Sequence, residues 1–453
     1  MNEGLQRFSI TPRVLKADAL QTVSICGLDE SYTFYDDIDY LVKITPLNDG
    51  WGYFEDKEFV MRGRDNSETI TCRSENGVLK IKYFFKGEGE WTIHIAPGSD
   101  KHVPEDNIKY GWAWRTNSYM NGFGFKVYTL KEDLYKKRPF KGDLHVHTWH
   151  SDGAIGAKTV VAQYRRFGFD FMTISDHNKM QPSLDAIKAY QDIPTAIKIF
   201  PGEEVHPVPS GIFHVVNFGG KASVNERVQK DFAKADAEVE AIAKTLTDIE
   251  DPLARKEVAW FQWIHEAIHE TGGLSIYAHP YWTVFDSYVV RQPVNDEVMK
   301  RKLMDVYEFY GGNPPKINKL QAQLYYQYCN SEKKIPVVAS SDSHSAYAHD
   351  ENFDAMWTIV FAEDVEKVSE SIMANGSVAV DNFDPKKKNV YGDLRLVKYT
   401  WFLLENYYFM HDELCNAAGQ AILRHVLGHA GQEELIRMLE AEVVKYNETF
   451  FGK

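Results

Sequence analysis

Short apolar runs that end in histidine or acid recur through the middle of this chain, and no other feature constrains its fold as much. Gly142-Asp143-Leu144-His145-Val146-His147 opens the series. Phe171–Ser175 leads into Asp176-His177, and Ile197–Phe200 leads into Gly202-Glu203-Glu204. Leu274–Ala278 ends in His279-Pro280, and Val337–Ser341 ends in Asp342-Ser343-His344. Such runs read as buried strands, and helix-like stretches such as Val160–Phe167 and Ser183–Gln191 lie between them. This alternation predicts a parallel α/β barrel or sheet. There the strand ends gather on one rim, so the metal-type side chains would share one space. His145 and His147, two residues apart on a strand, would face the same way.

The flanks read differently. Val78–Phe85, Trp91–Ile95 and Phe123–Tyr128 alternate aromatic and β-branched residues, with turn signals at Asn48-Asp49-Gly50, Glu75-Asn76-Gly77 and Gly87-Glu88-Gly89. Residues 1–138 are therefore expected to form an antiparallel β-sandwich. Trp51, Trp112 and Trp114 would serve sheet packing, with sugar or peptide binding as the alternative. The barrel is expected over 139–384, after the basic joint Lys136-Lys137-Arg138-Pro139. It would carry a charged helical insert near 222–258, a solvated face or a lid. Residues 385–453 read as a helical C-terminal segment packed on the barrel.

Composition narrows the partners. Among 453 residues, Lys and Arg number 51 and Asp and Glu 65, a formal net charge of −14. Such a chain lacks the positive field that binding to nucleic acid or anionic lipid needs. The four cysteines form no CxxC pair and read as free thiols of a reducing compartment. No signal-like N-terminal run or membrane-length apolar stretch is found, so the expected address is the cytoplasm. Histidine, at sixteen, is the informative residue.

The motifs together resemble a known family. Asp143–Gly153 (DLHVHTWHSDG), Thr173–Asn178 (TISDHN), Pro201–Val205 (PGEEV) with Phe213–Gly219 (FHVVNFG), Tyr277–Trp282 (YAHPYW) and Ser340–His344 (SSDSH) resemble the motifs of the PHP (polymerase and histidinol phosphatase) superfamily. The resemblance implies a distorted (β/α)7 metal-binding barrel, a di- or trinuclear centre of Mn, Zn or Fe, and phosphoester hydrolysis by a metal-bridging hydroxide. The sandwich and tail add a weaker similarity to the subgroup of arylcarbamate hydrolases.

Carried over by position, the resemblance gives His145, His147, Glu204 and Asp342 to one metal. Glu204 would bridge to a second metal held by His214 and His279, while Asp152, His177 and His344 would hold a third. Aspartate at the third position of the first motif, where some members have histidine, would favour Mn²⁺ or Fe²⁺ over Zn²⁺ at that metal. Glu204 fits the family's G-x-E spacing, and Glu203 does not. Asp143 and Asp176 are expected either to orient imidazoles from behind or to make strand-end hydrogen bonds. His150, Lys179, His206 and Tyr281 lie where they could contact substrate or donate a proton, although ordinary solvated side chains are the favoured reading. The substrate would be a small, phosphorylated ester; a carbamate, amide or carboxylic ester is the alternative.

A competing motif, His265-Glu266-Ala267-Ile268-His269, matches HExxH. The extended form needs histidine where Ser275 stands, and the next downstream glutamate after Glu270 is Glu297. Trp260, Phe261, Trp263, Ile264 and Ile268 make this stretch an amphipathic barrel helix. His425 and His429 read as helix surface.

Overall fold

The computed structural model describes residues 8–28, 33–48, 53–55, 58–60, 67–99, 123–206, 214–330, 332, 334–345 and 353–453. Trp51, Trp112, Trp114 and the Asp49-Gly50 turn lie outside the described residues. The chain forms two compact units, one of residues 1–137, 401–409 and 444–453, the other of residues 138–400 and 410–443. The expected helical stretch 385–453 is thus shared between them.

In the first unit the strands are β1 (Phe8–Thr11), β2 (Val14–Lys16), β3 (Ala19–Gly27), β4 (Asp39–Pro46), β5 (Tyr53–Glu55), β6 (Glu58–Val60), β7 (Glu68–Glu75), β8 (Val78–Phe85), β9 (Gly89–Pro97) and β10 (Phe123–Leu130), followed by helix α1 (Glu132–Tyr135). Eight of them follow one hydrogen-bonded order, β1-β3-β8-β7-β4-β9-β10-β2. β7 gives Glu68–Arg73 to β4 and Ser74–Glu75 to β8, so the sheet changes partner along that strand. The strands alternate, and their apolar side chains meet in one core. Val23, Ile25, Leu79 and Ile81 come from one half of the order, and Val42, Ile44, Ile93, Phe125 and Val127 from the other.

The second unit is mixed α/β. Its strands are β11 (Arg138–Asp143), β12 (Phe171–Thr173), β13 (Lys198–Phe200), β14 (Gly202–Val205), β15 (Val215–Phe218), β16 (Leu274–Tyr277), β17 (Thr283–Val284), β18 (Ser287–Tyr288), β19 (Val306–Tyr310), β20 (Val337–Ala339), β21 (Met356–Ala362), β22 (Ser377–Asp381) and β23 (Asn389–Gly392). Helices α2 (Ala157–Arg166), α3 (Gln181–Tyr190), α4 (Val224–Lys230), α5 (Phe232–Thr245), α6 (Pro252–Glu270), α7 (Gln292–Arg301), α8 (Pro315–Tyr328) and α9 (Val368–Met373) lie between them. Helices α10 (Leu394–Asn406), α11 (Tyr408–Val426) and α12 (Gln432–Phe451) close the chain.

Strand direction departs from the all-parallel expectation. Two sheets form, β13-β12-β11-β21-β22-β23 and β14-β15-β16-β19-β20. β11, β12 and β13 run parallel, as do β16, β19 and β20, while β15 and β21 run against their neighbours. For β15 the cause is connection length: β14 ends at Val205 and β15 begins at Val215, and so few residues cannot make the crossover that a parallel pair needs. Single parallel bridges, Val146 to Ser343 and His177 to Glu204, link the two sheets.

The insert is helical for local reasons. Ser223 accepts from the Glu226 amide, Asp231 from that of Lys234, and Asp251 from that of Leu253 ahead of Pro252, so each helix starts on a side-chain cap. Along α6, Ala254, Val258, Phe261, Ile264 and Ile268 recur at helical spacing and are buried.

Candidate metal centre

The strand ends deliver what the repeating sequence pattern promised. His145 and His147 follow β11, His177 follows β12, His279 follows β16, and Asp342 and His344 follow β20. Glu204 lies within β14. His214 reaches the same place from the start of β15, because that strand is reversed relative to β14 and β16.

Glu204 is fully buried, and each of its oxygens faces three imidazoles. Oε2 lies 2.8 Å from His177 Nδ1, 3.2 Å from His145 Nε2 and 3.3 Å from His147 Nε2. Oε1 lies 2.7 Å from His214 Nδ1, 3.4 Å from His279 Nε2 and 3.5 Å from His206 Nε2. Asp342 Oδ1 stands 3.1 Å from His147 Nε2 and 3.3 Å from His145 Nε2, and its Oδ2 is 3.9 Å from His279 Nε2. Asp152 Oδ2 is 3.3 Å from both His177 Nε2 and His344 Nε2, and Asp152 Oδ1 is 3.7 Å from His147 Nδ1. All nine residues expected as ligands therefore join one network. The donor atoms group as His147 with Asp152, His177 and His344; as His145 with Glu204 and His279; and as His145 with His147 and Asp342. His147 thus stands with the expected third set as well as the first. His206, expected at the substrate, groups with His177 and Glu204.

A fit to cations can be judged from the protein atoms alone. Close as they stand, His145 Nε2, His147 Nε2, His177 Nδ1 and Glu204 Oε2 are buried and make no hydrogen bond, and His214 Nε2, on the far side of its ring from Glu204, is likewise buried and unpaired. Unpaired polar atoms are costly to bury, and so many converging ones suit ions that accept their lone pairs. The electrostatics agree. Burial works against charge on Glu204, but His145, His214, His206 and His177 together hold its carboxyl well below the usual range. Asp342 is lowered in the same way, its burial outweighed by His145, His147 and His279. Burial also opposes charge on His177, yet Glu204 and Asp152 push it up to about 10. On His214 burial wins over Glu204, and the imidazole falls to about 3. The carboxylates thus draw positive charge into a dry space, and divalent cations carry such charge.

Neighbours fix the imidazoles. His145 Nδ1 lies 3.3 Å from the buried Glu308 carboxylate, so the ring donates there and leaves the Nε2 lone pair for the centre. The other Glu308 oxygen accepts from the His279 amide at 3.1 Å. His147 Nδ1 lies 3.4 Å from Ser151 Oγ, which itself donates to Asp176 at 2.6 Å. Asp176 also accepts from the Thr148 amide and hydroxyl, so it acts on His147 through the 148–151 loop. Asp143 meets no imidazole and makes strand-end hydrogen bonds instead. It accepts from the His145 and Ser341 amides and from the Tyr164 hydroxyl, and so tethers the two backbone segments that carry His145 and Asp342. His279 and Asp342 both hold left-handed backbone (φ 26° and 50°), strain of a kind that clusters at functional sites.

Other expected contacts fall elsewhere. Glu203 faces away from the cluster and accepts from the Val224 amide, Ser223, Asn217 and Asn225. Lys179 donates to the His150 carbonyl at 2.6 Å. Tyr281 is buried in an apolar core, its hydroxyl on Gln292, for the motif's aromatic ring turns inward. Trp282, next along the chain, packs against His214 and His279 instead, with ring centroids at 5.1 and 5.9 Å. Glu308 and Trp282 escaped the sequence reading. An acid inside the apolar strand Val306-Tyr307-Glu308-Phe309-Tyr310 was the available signal for Glu308.

Residues 143–248 match the family model of the PHP domain. No curated protein matches the chain. Among solved structures, similarity extends to a two-domain protein of Bacteroides vulgatus, described as containing a predicted PHP-like metal-dependent phosphoesterase. It is 16% identical over 54% of this chain and 65% of its own, with a TM-score of 0.38, so the chain spans about two-thirds of its length. A protein of Bifidobacterium adolescentis, provisionally named a metal-dependent phosphoesterase, is 17% identical over 51% of this chain and 95% of its own, with a TM-score of 0.34. An amidohydrolase of Chromobacterium violaceum with bound sulfate is 16% identical over 45% and 87%, with a TM-score of 0.31. The matched segment holds His145, His147, Asp152, His177, Glu204 and His214, and it is this part of the chain that carries the PHP-domain match.

Proposed function

We propose that this chain is a metal-dependent hydrolase of small phosphoesters, with His145, His147, Asp152, His177, Glu204, His214, His279, Asp342 and His344 as its metal ligands. The observation that carries the reading is Glu204, a buried carboxylate with three imidazoles on each oxygen. The seven strands β11, β12, β14, β15, β16, β19 and β20, joined by the two single bridges, support a distorted (β/α)7 barrel as the frame. The shared core of the first unit supports a β-sandwich.

Bound divalent cations supply Lewis-acid activation of water and neutralise charge on a phosphoryl oxygen. The chain's own residues prepare that chemistry. Glu204 and Asp342 hold negative charge at the centre, and Glu308 and Ser151 keep the Nε2 atoms of His145 and His147 turned inward. Asp143 fixes the spacing of the two segments it tethers. The half-exposed rim, where Asp152, His177 and His344 meet, gives a substrate its approach.

A second reading, hydrolysis of a carbamate, amide or carboxylic ester, has its own support. Trp282 puts an apolar wall against His214 and His279, and the nearby Lys179 ammonium is already engaged by a backbone carbonyl. The test is a panel of phosphomonoesters, phosphodiesters, aryl esters and carbamates, each assayed with Mn²⁺, Zn²⁺ or Fe²⁺. Turnover of phosphoesters supports the first reading. Turnover confined to esters or carbamates would replace it by the second.

A further inference from the structure

The HExxH stretch is unused by the PHP-type centre, and the structure gives it a third partner that lies far along the sequence. His265 and His269, one turn apart on α6, bring their ring centroids to 4.2 Å. Asp305, just before β19, places its carboxylate 2.7 and 2.8 Å from His269 Nε2. One donor atom from each of His265, His269 and Asp305 lies within 4.8 Å of the other two. We propose that His265, His269 and Asp305 form a second divalent-metal site, taking a zinc-class ion and separate from the PHP-type centre.

Three features favour a metal site over a chance surface cluster. Two imidazoles and one carboxylate form a donor set that zinc uses with an open fourth position. The carboxylate is held in place: Asp305 Oδ2 accepts from the Ser275 amide at 2.9 Å and from its hydroxyl at 3.0 Å. His265 is partly held too, with Nδ1 2.7 Å from Ser275 Oγ. Ligand atoms on one tetrahedral ion lie about 3.4 Å apart at bond lengths of about 2.0–2.1 Å. Entry of the ion therefore means opening the His269–Asp305 contact by less than an ångström or so. His269 is about half exposed, so its ring can shift toward solvent as that contact opens.

The location sets the role. Ser275 and Asp305 stand at the N-terminal ends of β16 and β19, whereas His279 follows the C-terminal end of β16. In barrel-type folds the N-terminal face serves stability and the C-terminal face chemistry. An ion here would pin the end of α6 to two strand starts. It would not make a protease. Glu266, the general base of such enzymes, is exposed and accepts from Gln262 one turn back along the helix.

The experiment compares the metal-loaded wild type with His269→Gln, Asp305→Asn and Glu266→Gln. Each is equilibrated with Zn²⁺, gel-filtered and measured for zinc per chain and for thermal midpoint with and without the ion. The wild type and Glu266→Gln should each retain one zinc per chain more than His269→Gln and Asp305→Asn, at unchanged hydrolytic turnover. The Zn²⁺-dependent rise in midpoint should be smaller in those two variants than in the wild type and Glu266→Gln, leaving only the share of the first centre. Circular dichroism separates this result from misfolding, and Co²⁺ in place of Zn²⁺ should give less visible absorption in the same two variants, by the amount of one site. Equal zinc content and equal thermal response in all four proteins would overturn the proposal. So would retention of the ion by Asp305→Asn alone.

Discussion

Glu203 and Glu204 are adjacent and both fully buried, yet they do opposite work. Alternation along β14 turns Glu203 toward the capped start of α4 and Glu204 toward the imidazoles. The G-x-E spacing selects Glu204, the carboxylate that faces the imidazoles. Glu308 was out of reach, because no sequence rule says which acid in an apolar strand meets a particular ring. Its role gives a direct prediction. Glu308→Gln, nearly isosteric, should weaken metal affinity about 10- to 100-fold by releasing His145, with circular dichroism unchanged; calorimetric titration of the chelated protein reads it. A second prediction follows from charge. In the metal-free chain His177 has a pKa of about 10, against about 6.5 unfolded. A raised imidazole stabilises the fold fully below about pH 6.5, and that contribution is lost as pH climbs toward 10. The chelated protein should therefore lose stability from pH 7 to 9, a loss that bound cations relieve by replacing the protons. Metal binding at pH 7 should also release protons, seen as a heat that varies with the ionisation enthalpy of the buffer. A flat stability profile and no proton release would contradict this charge assignment.

At the scale of elements, the sequence marked most of the second unit correctly. Val160–Phe167 and Ser183–Gln191 lie on α2 and α3 within a few residues, and each apolar run became a strand with its polar end on the rim. Strand direction was hidden. Nothing in Ile212–Val216 tells a parallel strand from a reversed one, and the reversal is what brings His214 in from a strand start. The close approach of β14 to its surroundings was hidden as well. A Cβ on Gly202 would come within 2.3 Å of Thr173 Oγ1 and 3.0 Å of the Asn217 carbonyl. Gly202→Ala forces the buried Thr173 side chain, or the strand that carries Glu204, to move. We expect a loss of about 1–3 kcal/mol in denaturant unfolding, with weaker metal binding. Unchanged stability would mean that β14 shifts freely and that Glu204 is not rigidly placed.

For the whole molecule, sequence texture reads the tail as one helical segment, and periodicity does not show how it is divided. Helices read as one terminal segment contribute to both compact units. Part of the reason is a contact that no periodicity reveals. Arg165, fully buried on α2, donates to Glu440 on α12 from Nε at 3.0 Å and from Nη2 at 2.5 Å, and Thr195 donates to the same carboxylate. Burial opposes charge on Arg165, and Glu440 helps to restore it. Glu440→Ala would leave the buried Arg165 guanidinium with the Asp170 carboxylate, 3.4 Å away, as its remaining counter-charge, and should cost about 3 kcal/mol in chemical denaturation, the low end for a broken buried ion pair. Among the described residues no helix is long and apolar enough to cross a membrane.

The central claim, that Glu204 joins the cations of one hydrolytic centre, is tested most directly by Glu204→Gln, with Glu266→Gln as its control. The substitution keeps shape and removes the charge that six imidazoles now surround. Bound metal per chain and turnover of the best substrate are measured on both proteins. The account predicts that Glu204→Gln folds but loses the metal of the PHP-type centre and its hydrolysis, while Glu266→Gln keeps both. A Glu204→Gln protein with full metal content and full rate, beside an inactive Glu266→Gln, would contradict it.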